Sequence, residues 1–220
     1  MPRIGIIRVL TTDDQQLLAA HGRLLEEFIK HPDLEVINRC IEGYPQGLAE
    51  EKDIPRAIPK IVHLGQEMVH EEKVTALLVS CAADPGVSEL RQAVDIPVIG
   101  AGSASAAMAF SLGHPVGALG ITDWRLPAIT DTLGPRLVGW ETPEGVNTTL
   151  DLMSDRGRKR FIQAGERLKR QGAQIILLAC TGFSTIRIAP LLERRLRLPV
   201  IDPLIASGFV AYYVGQGNDS

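Results

Sequence analysis

Apolar runs alternate with amphipathic stretches along this chain. Ile4-Gly5-Ile6-Ile7-Arg8-Val9-Leu10 reads as a strand, and so do residues 34–41, 75–80, 96–99, 116–121, 174–179 and 198–201. Thr12 with Gln15 three positions later forms a capping-box pattern opening a helix whose stripe includes Leu17, Leu18, Leu24, Leu25 and Phe28. Residues 57–72, 87–94, 103–112, 154–171, 188–196 and 204–213 read as further helices. The strands are continuous apolar runs, the pattern of strands covered on both faces. This predicts an α/β fold with parallel sheets flanked by helices.

Part of the pattern occurs twice. Ala76-Leu77-Leu78-Val79-Ser80-Cys81, a helix and Ile96-Pro97-Val98-Ile99-Gly100 match Ile176-Leu177-Leu178-Ala179-Cys180-Thr181, a helix and Leu198-Pro199-Val200-Ile201-Asp202. Ile4-Gly5-Ile6-Ile7 corresponds to Val116-Gly117-Ala118-Leu119. The expectation is two pseudo-symmetric lobes: residues 1–101 completed by a C-terminal helix in 204–220, and residues 102–203. Each lobe ends a strand with a cysteine.

Ligands of open parallel sheets bind beyond the carboxyl ends of the strands, where Cys81 and Cys180 fall. The helix after each strand offers backbone N–H groups and a positive dipole end, which draw a thiol toward thiolate. Two thiols on opposite walls of a cleft between the lobes suit inversion of a stereocentre, one thiolate removing a proton and one thiol returning another. Thiolate repulsion favours the mixed state.

Composition narrows the class. A net charge of −3 without a basic run speaks against nucleic acid or an anionic membrane as partner, which leaves a small molecule. Hydrophobic residues at 45% suit a folded domain, with only residues 217–220 expected to be loose. No stretch is long enough to span a membrane, and the start lacks a signal-peptide layout. A cytoplasmic location and free thiols are therefore expected. Cys40 lacks a counterpart and reads as packing. The five histidines are scattered and read as solvated or capping. Gly100-Ala101-Gly102-Ser103-Ala104-Ser105 reads as small-residue packing, and the Arg/Lys positions of 156–170 as a solvated helix face. No metal or cofactor is implied. A homo-oligomer is the general prior.

Ser80-Cys81-Ala82-Ala83-Asp84-Pro85-Gly86 and Ala179-Cys180-Thr181-Gly182, each followed by its Pro-Val-Ile strand, resemble the aspartate/glutamate/hydantoin racemase superfamily. The Cys followed by Asp-Pro-Gly is closest to the hydantoin racemase branch. The resemblance implies a cofactor-independent racemase, acting on a 5-substituted hydantoin or a free amino acid, with Cys81 and Cys180 as the acid/base pair. It also implies that Ala82, Ala83, Thr181 and Gly182 hold substrate oxygens, and that the final helix returns to the first lobe. Where the family's first strand ends in a polar Asn-Pro-Asn-type turn, this chain has Arg8-Val9-Leu10-Thr11. Arg8 is thereby a candidate grip for a substrate carboxylate, and Thr122, taken as its counterpart, a candidate binder. The alternatives are a maleate-type isomerase or decarboxylase on the same fold, or a non-catalytic small-molecule binder.

Overall fold

A computed structural model describes residues 1–48, 50–146 and 148–217. The chain divides into two units, Met1–Ala101 with Ser207–Ser220, and Gly102–Ala206. The last three residues of the expected loose tail lie outside the described residues.

The first unit is built on β1 (Arg3–Arg8), α1 (Gln15–Ile29), β2 (Glu35–Cys40), α2 (Ile54–Glu71), β3 (Ala76–Ser80), α3 (Val87–Ala93) and β4 (Val98–Gly100). Its four strands are parallel in the order β2-β1-β3-β4. One face is sealed by Ile7, Ile61, Leu64, Met68, Leu77, Val79 and Leu90. Fully burying each such side chain contributes about 1.5–3 kcal/mol. Gly5 is glycine because α2 passes close above it: a side chain there would press on Met68, Val74 and Leu77.

The second unit contains most of α4 (Ala101–Ser111), then β5 (Val116–Leu119), α5 (Pro127–Leu133), β6 (Leu137–Glu141), α6 (Asp155–Arg170), β7 (Ile175–Leu178), α7 (Gly182–Thr185), α8 (Ala189–Leu196) and β8 (Val200–Ile201). Its parallel sheet runs β6-β5-β7-β8, the same order as the first. Gly117 repeats Gly5, with Leu168 and Ala173 where its side chain would be. Phe161 and Phe183 meet edge-on at 4.9 Å in the core. α9 (Pro203–Gly215) begins in this unit and continues in the first, where Gly208 lies against Leu25 and Thr75 Oγ1 donates to Gly215 O at 2.6 Å.

The structure departs from the sequence pattern in three places. α1 is capped by Asp14, whose carboxylate accepts the N–H groups of Gln16 and Leu17, while Thr12 Oγ1 accepts the N–H of Asp14. A carboxylate takes both N–H groups, which displaces the capping box expected at Thr12. α2 starts earlier than residue 57, with a proline in its first turn and Pro59 inside it. α5, the edge strand β6 and the short α7 fall where no element was expected. Among the described residues, no helix is long and apolar enough to cross a membrane.

Candidate active site

The β3 strand delivers Cys81 to the carboxyl edge of the first sheet. The Cys81 N–H donates to Val79 O at 3.0 Å, and its carbonyl accepts the Asp84 N–H at 3.0 Å, folding the chain into a tight turn. Asp84 and Gly86 take left-handed backbone angles, φ 51° and 69°. Aspartate tolerates that region better than most residues, and glycine does so without cost. Ala82 is buried and Ala83 half-buried within this turn. The Asp84 carboxylate lies on the open face of Gly100, filling the space where a side chain would begin.

The β7 strand delivers Cys180 to the matching edge of the second sheet. α7 starts at once: Phe183 N–H donates to Cys180 O at 3.2 Å and Ser184 N–H to Thr181 O at 3.1 Å. The N–H groups of Gly182 and Phe183 are directed at the Cys180 sulfur. Burial pushes this thiol above its ordinary value, and the two N–H groups pull it partway back. Cys180 therefore rests as the thiol at neutral pH. Ser184, fully buried, donates to Asp202 Oδ1 at 2.6 Å, and the same oxygen accepts the N–H groups of Leu204 and Ile205 at 3.0 and 3.2 Å. Burial raises the Asp202 carboxyl above the usual range, against the pull of these three donors.

Strand registers make the two thiols equivalent. Leu77 pairs with Val98 as Ile176 pairs with Val200, so Cys81 and Cys180 stand at the same place in their sheets. Ile4 pairs with Ala76 and Val116 with Ile175, which makes Gly120 the counterpart of Arg8. Thr122 stands two residues further on, at the position corresponding to Leu10 in the first unit, and is half-buried. Its carbonyl accepts from Thr142 Oγ1 at 2.9 Å and Trp140 Nε1 at 3.4 Å.

Arg8 is buried, and its Nη1 donates to Leu17 O at 2.8 Å and Leu18 O at 3.2 Å in the first turn of α1. The guanidinium expected to meet a substrate carboxylate is thus tied to backbone. Burial lowers its pKa to about 10, with Cys40, opposite it in the β1–β2 ladder, pulling the other way. The adjoining strand end carries Ser80, whose Oγ lies 2.8 Å from His21 Nδ1. His21 is buried, not solvated or capping as its sequence context suggested, because α1 lays it over the sheet. The basic face of α6 is also less free than expected: Arg167 pairs with Glu141 at 2.6 Å, and Arg158, Arg160 and Lys169 donate to backbone carbonyls.

Ser184, Asp202 and the His21–Ser80 contact were missed in the sequence. The only signal for Asp202 was its place in the repeat, where Gly100 is its counterpart. A depression of ≈ 620 Å³ in the first unit opens between α2 and the loop after β2, with Tyr44, Arg56 and Lys60 on its walls. Among the described residues, no group of three or more His, Cys, Asp or Glu could hold a metal ion.

The chain is similar to three known racemases. A hydantoin racemase from Pseudomonas sp. (strain NS671) is 33% identical over 145 residues, covering 62% of this chain and 56% of that one; the match thus spans little over half the relative's length. The allantoin racemase structure from Pseudomonas fluorescens superposes with a TM-score of 0.78 at 19% identity, covering 97% of this chain and 91% of that one. That from Klebsiella pneumoniae gives 0.78 at 23% identity, covering 96% and 86%. At such identities the two structures speak for the fold. The description "Asp/Glu/Hydantoin racemase" matches residues 4–207, nearly the whole chain, and the protein belongs to that family.

Proposed function

We propose that this protein is a racemase that inverts the carbon next to a carbonyl in a 5-substituted hydantoin, with Cys81 and Cys180 as its acid/base pair. The observation that carries the reading is the register equivalence of the two thiols, each ending the third strand of a sheet of the same order. A binding protein has no need of such a pair.

In one direction the Cys81 thiolate takes the α-proton: the C–H bond breaks, an S–H bond forms, and the electron pair passes into the adjacent carbonyl to give an enolate. The Cys180 thiol then gives its proton to the other face of that carbon, its S–H bond breaking as the new C–H bond forms. The mirror-image substrate reverses the roles. The raised Cys180 thiol suits it to be the acid of the resting protein. Ala82, Ala83 and Thr181 lie in the turns beside the thiols and are proposed to bind substrate oxygens. Gly182, whose N–H group is directed at the Cys180 sulfur, belongs to the same turn and is proposed to bind substrate with them. Thr122 is proposed to bind substrate from the loop after β5.

Arg8 bears on the choice of substrate. A free amino acid brings a carboxylate that calls for a cation, and the Arg8 Nη1 is engaged by α1 carbonyls. A hydantoin ring carries neutral amides that backbone groups can meet. The hydantoin and allantoin racemases among the relatives point the same way.

The test is incubation in heavy water with a panel of 5-substituted hydantoins and free amino acids, following the α-proton by NMR and inversion by polarimetry. Hydantoins should exchange and invert; amino acids should not. Cys81→Ala and Cys180→Ala should each abolish inversion while retaining exchange of opposite enantiomers, and Cys40→Ala should keep full activity. Near wild-type inversion by either of the first two variants refutes the mechanism.

A further inference from the structure

Asp202 does more than begin a helix. Its Oδ1 receives three donors: the Leu204 and Ile205 N–H groups of α9, and the Ser184 hydroxyl of α7 at 2.6 Å. Capping α9 requires only the first two. A neutral amide oxygen has two lone pairs for such donors, whereas an anionic oxygen sustains three short contacts. Ser184 itself is sealed from solvent, and its N–H closes the turn onto Thr181 O. One residue before it is Phe183, whose N–H, with that of Gly182, is aimed at the Cys180 sulfur. The chain from carboxylate to sulfur is thus short: Asp202 takes the Ser184 hydroxyl, the Ser184 N–H closes the turn onto Thr181 O, and Gly182 and Phe183 lie within that turn.

We infer that Ser184 and Asp202 are positioning residues that hold the α7 turn so that the Gly182 and Phe183 N–H groups stabilise Cys180 as a thiolate. The inference rests on the proposed racemase reading for its consequence in turnover, but its effect on the thiol stands apart from that reading. The first unit achieves a related closure differently, with Asp84 on the cysteine turn and Gly100 at the strand end. A carboxylate therefore sits between the cysteine turn and the following helix in both units.

The variants are Ser184→Ala, which removes the hydroxyl, and Asp202→Asn, which keeps an acceptor for α9 but loses the anion. Wild type and variants are alkylated with iodoacetamide across a pH series, and modification at Cys81 and Cys180 is read separately by peptide mass spectrometry. In both variants the Cys180 midpoint should rise by about one pH unit, the equivalent of one hydrogen bond to an anion, with the Cys81 midpoint unchanged. An unchanged or lowered Cys180 midpoint in both variants overturns the inference. In racemisation assays kcat should fall by about tenfold with KM within about twofold. Should Cys180→Ala racemise as wild type, the racemase reading falls, while the alkylation midpoints still decide the role of Ser184 and Asp202.

Discussion

Replacing Arg8 with methionine separates a fold-supporting guanidinium from a substrate grip. Methionine keeps an unbranched stem and removes the charge. Burial holds the guanidinium at about pKa 10, well below its ordinary value, so burying the charge costs about 3 kcal/mol at 1.36 kcal/mol per pH unit. The depressed value means that this cost is constant below about pH 10 and is relieved only as pH rises through that value. Against it stand the two bonds to Leu17 O and Leu18 O, each returning about 1.5–3 kcal/mol for a charged donor. Within α1 the Leu17 carbonyl faces the His21 N–H, whereas the Gly22 N–H that would serve Leu18 O donates to Asn38 Oδ1 at 3.1 Å, so the variant leaves at most one carbonyl short of a donor. Arg8→Met should therefore cost only about 0–3 kcal/mol, a fall in melting temperature below about 10 °C for a chain of this size. Arg8→Ala adds a cavity and should cost about 2 kcal/mol more. The assay is thermal melting between pH 6 and 9 beside racemisation kinetics with a hydantoin, where KM should stay within about threefold. A KM rise of tenfold or more with an unchanged melting temperature would show the guanidinium on the substrate and refute the reasoning.

Two further outcomes are expected. Gly100→Ala drives a methyl group into the Asp84 carboxylate and should destabilise by about 1–3 kcal/mol, read by chemical denaturation of wild type and variant. Asp202 has its pKa raised by burial, so its ionisation costs stability as pH climbs from its unfolded value of about 3.8 through its folded one. Asp202→Asn lacks that cost, and its melting temperature relative to wild type should be higher at pH 7 than at pH 4.

The fold was legible because both sheets are made of runs such as Ile4-Gly5-Ile6-Ile7 and Ile176-Leu177-Leu178, apolar on both faces. β6 was not, because Leu137-Val138-Gly139-Trp140-Glu141 is an edge strand, only half-buried and broken by a glycine. That glycine is required where Leu168 of α6 and Gln171 just after it come close, a contact between residues about 30 apart. α5 has only seven residues and opens on a proline. The two thiols could be read from the repeat, since each follows its own strand directly. Ser184 and Asp202 could not, because their bond joins residues 18 apart in sequence and depends on how α7 turns back. Arg8 was located at its strand end, but the sequence did not reveal that α1 would come down over it and take its Nη1.

The two ways of placing a carboxylate beside a cysteine turn constrain how this chain can change. Asp84 is compatible with Gly100, and Asp202 with Ser184, but mixing the pairs is costly. An aspartate at position 100 beside the half-buried Asp84 would crowd two anions together, and removing Asp84 first would leave the strand end without any carboxylate. Each single step between the two arrangements should pass through a poorer state, so positions 84 and 100 are expected to be epistatic. Substitutions scored one at a time at either position will misjudge what the double change tolerates. A symmetric protein built by doubling one unit must carry both members of that unit's pair together.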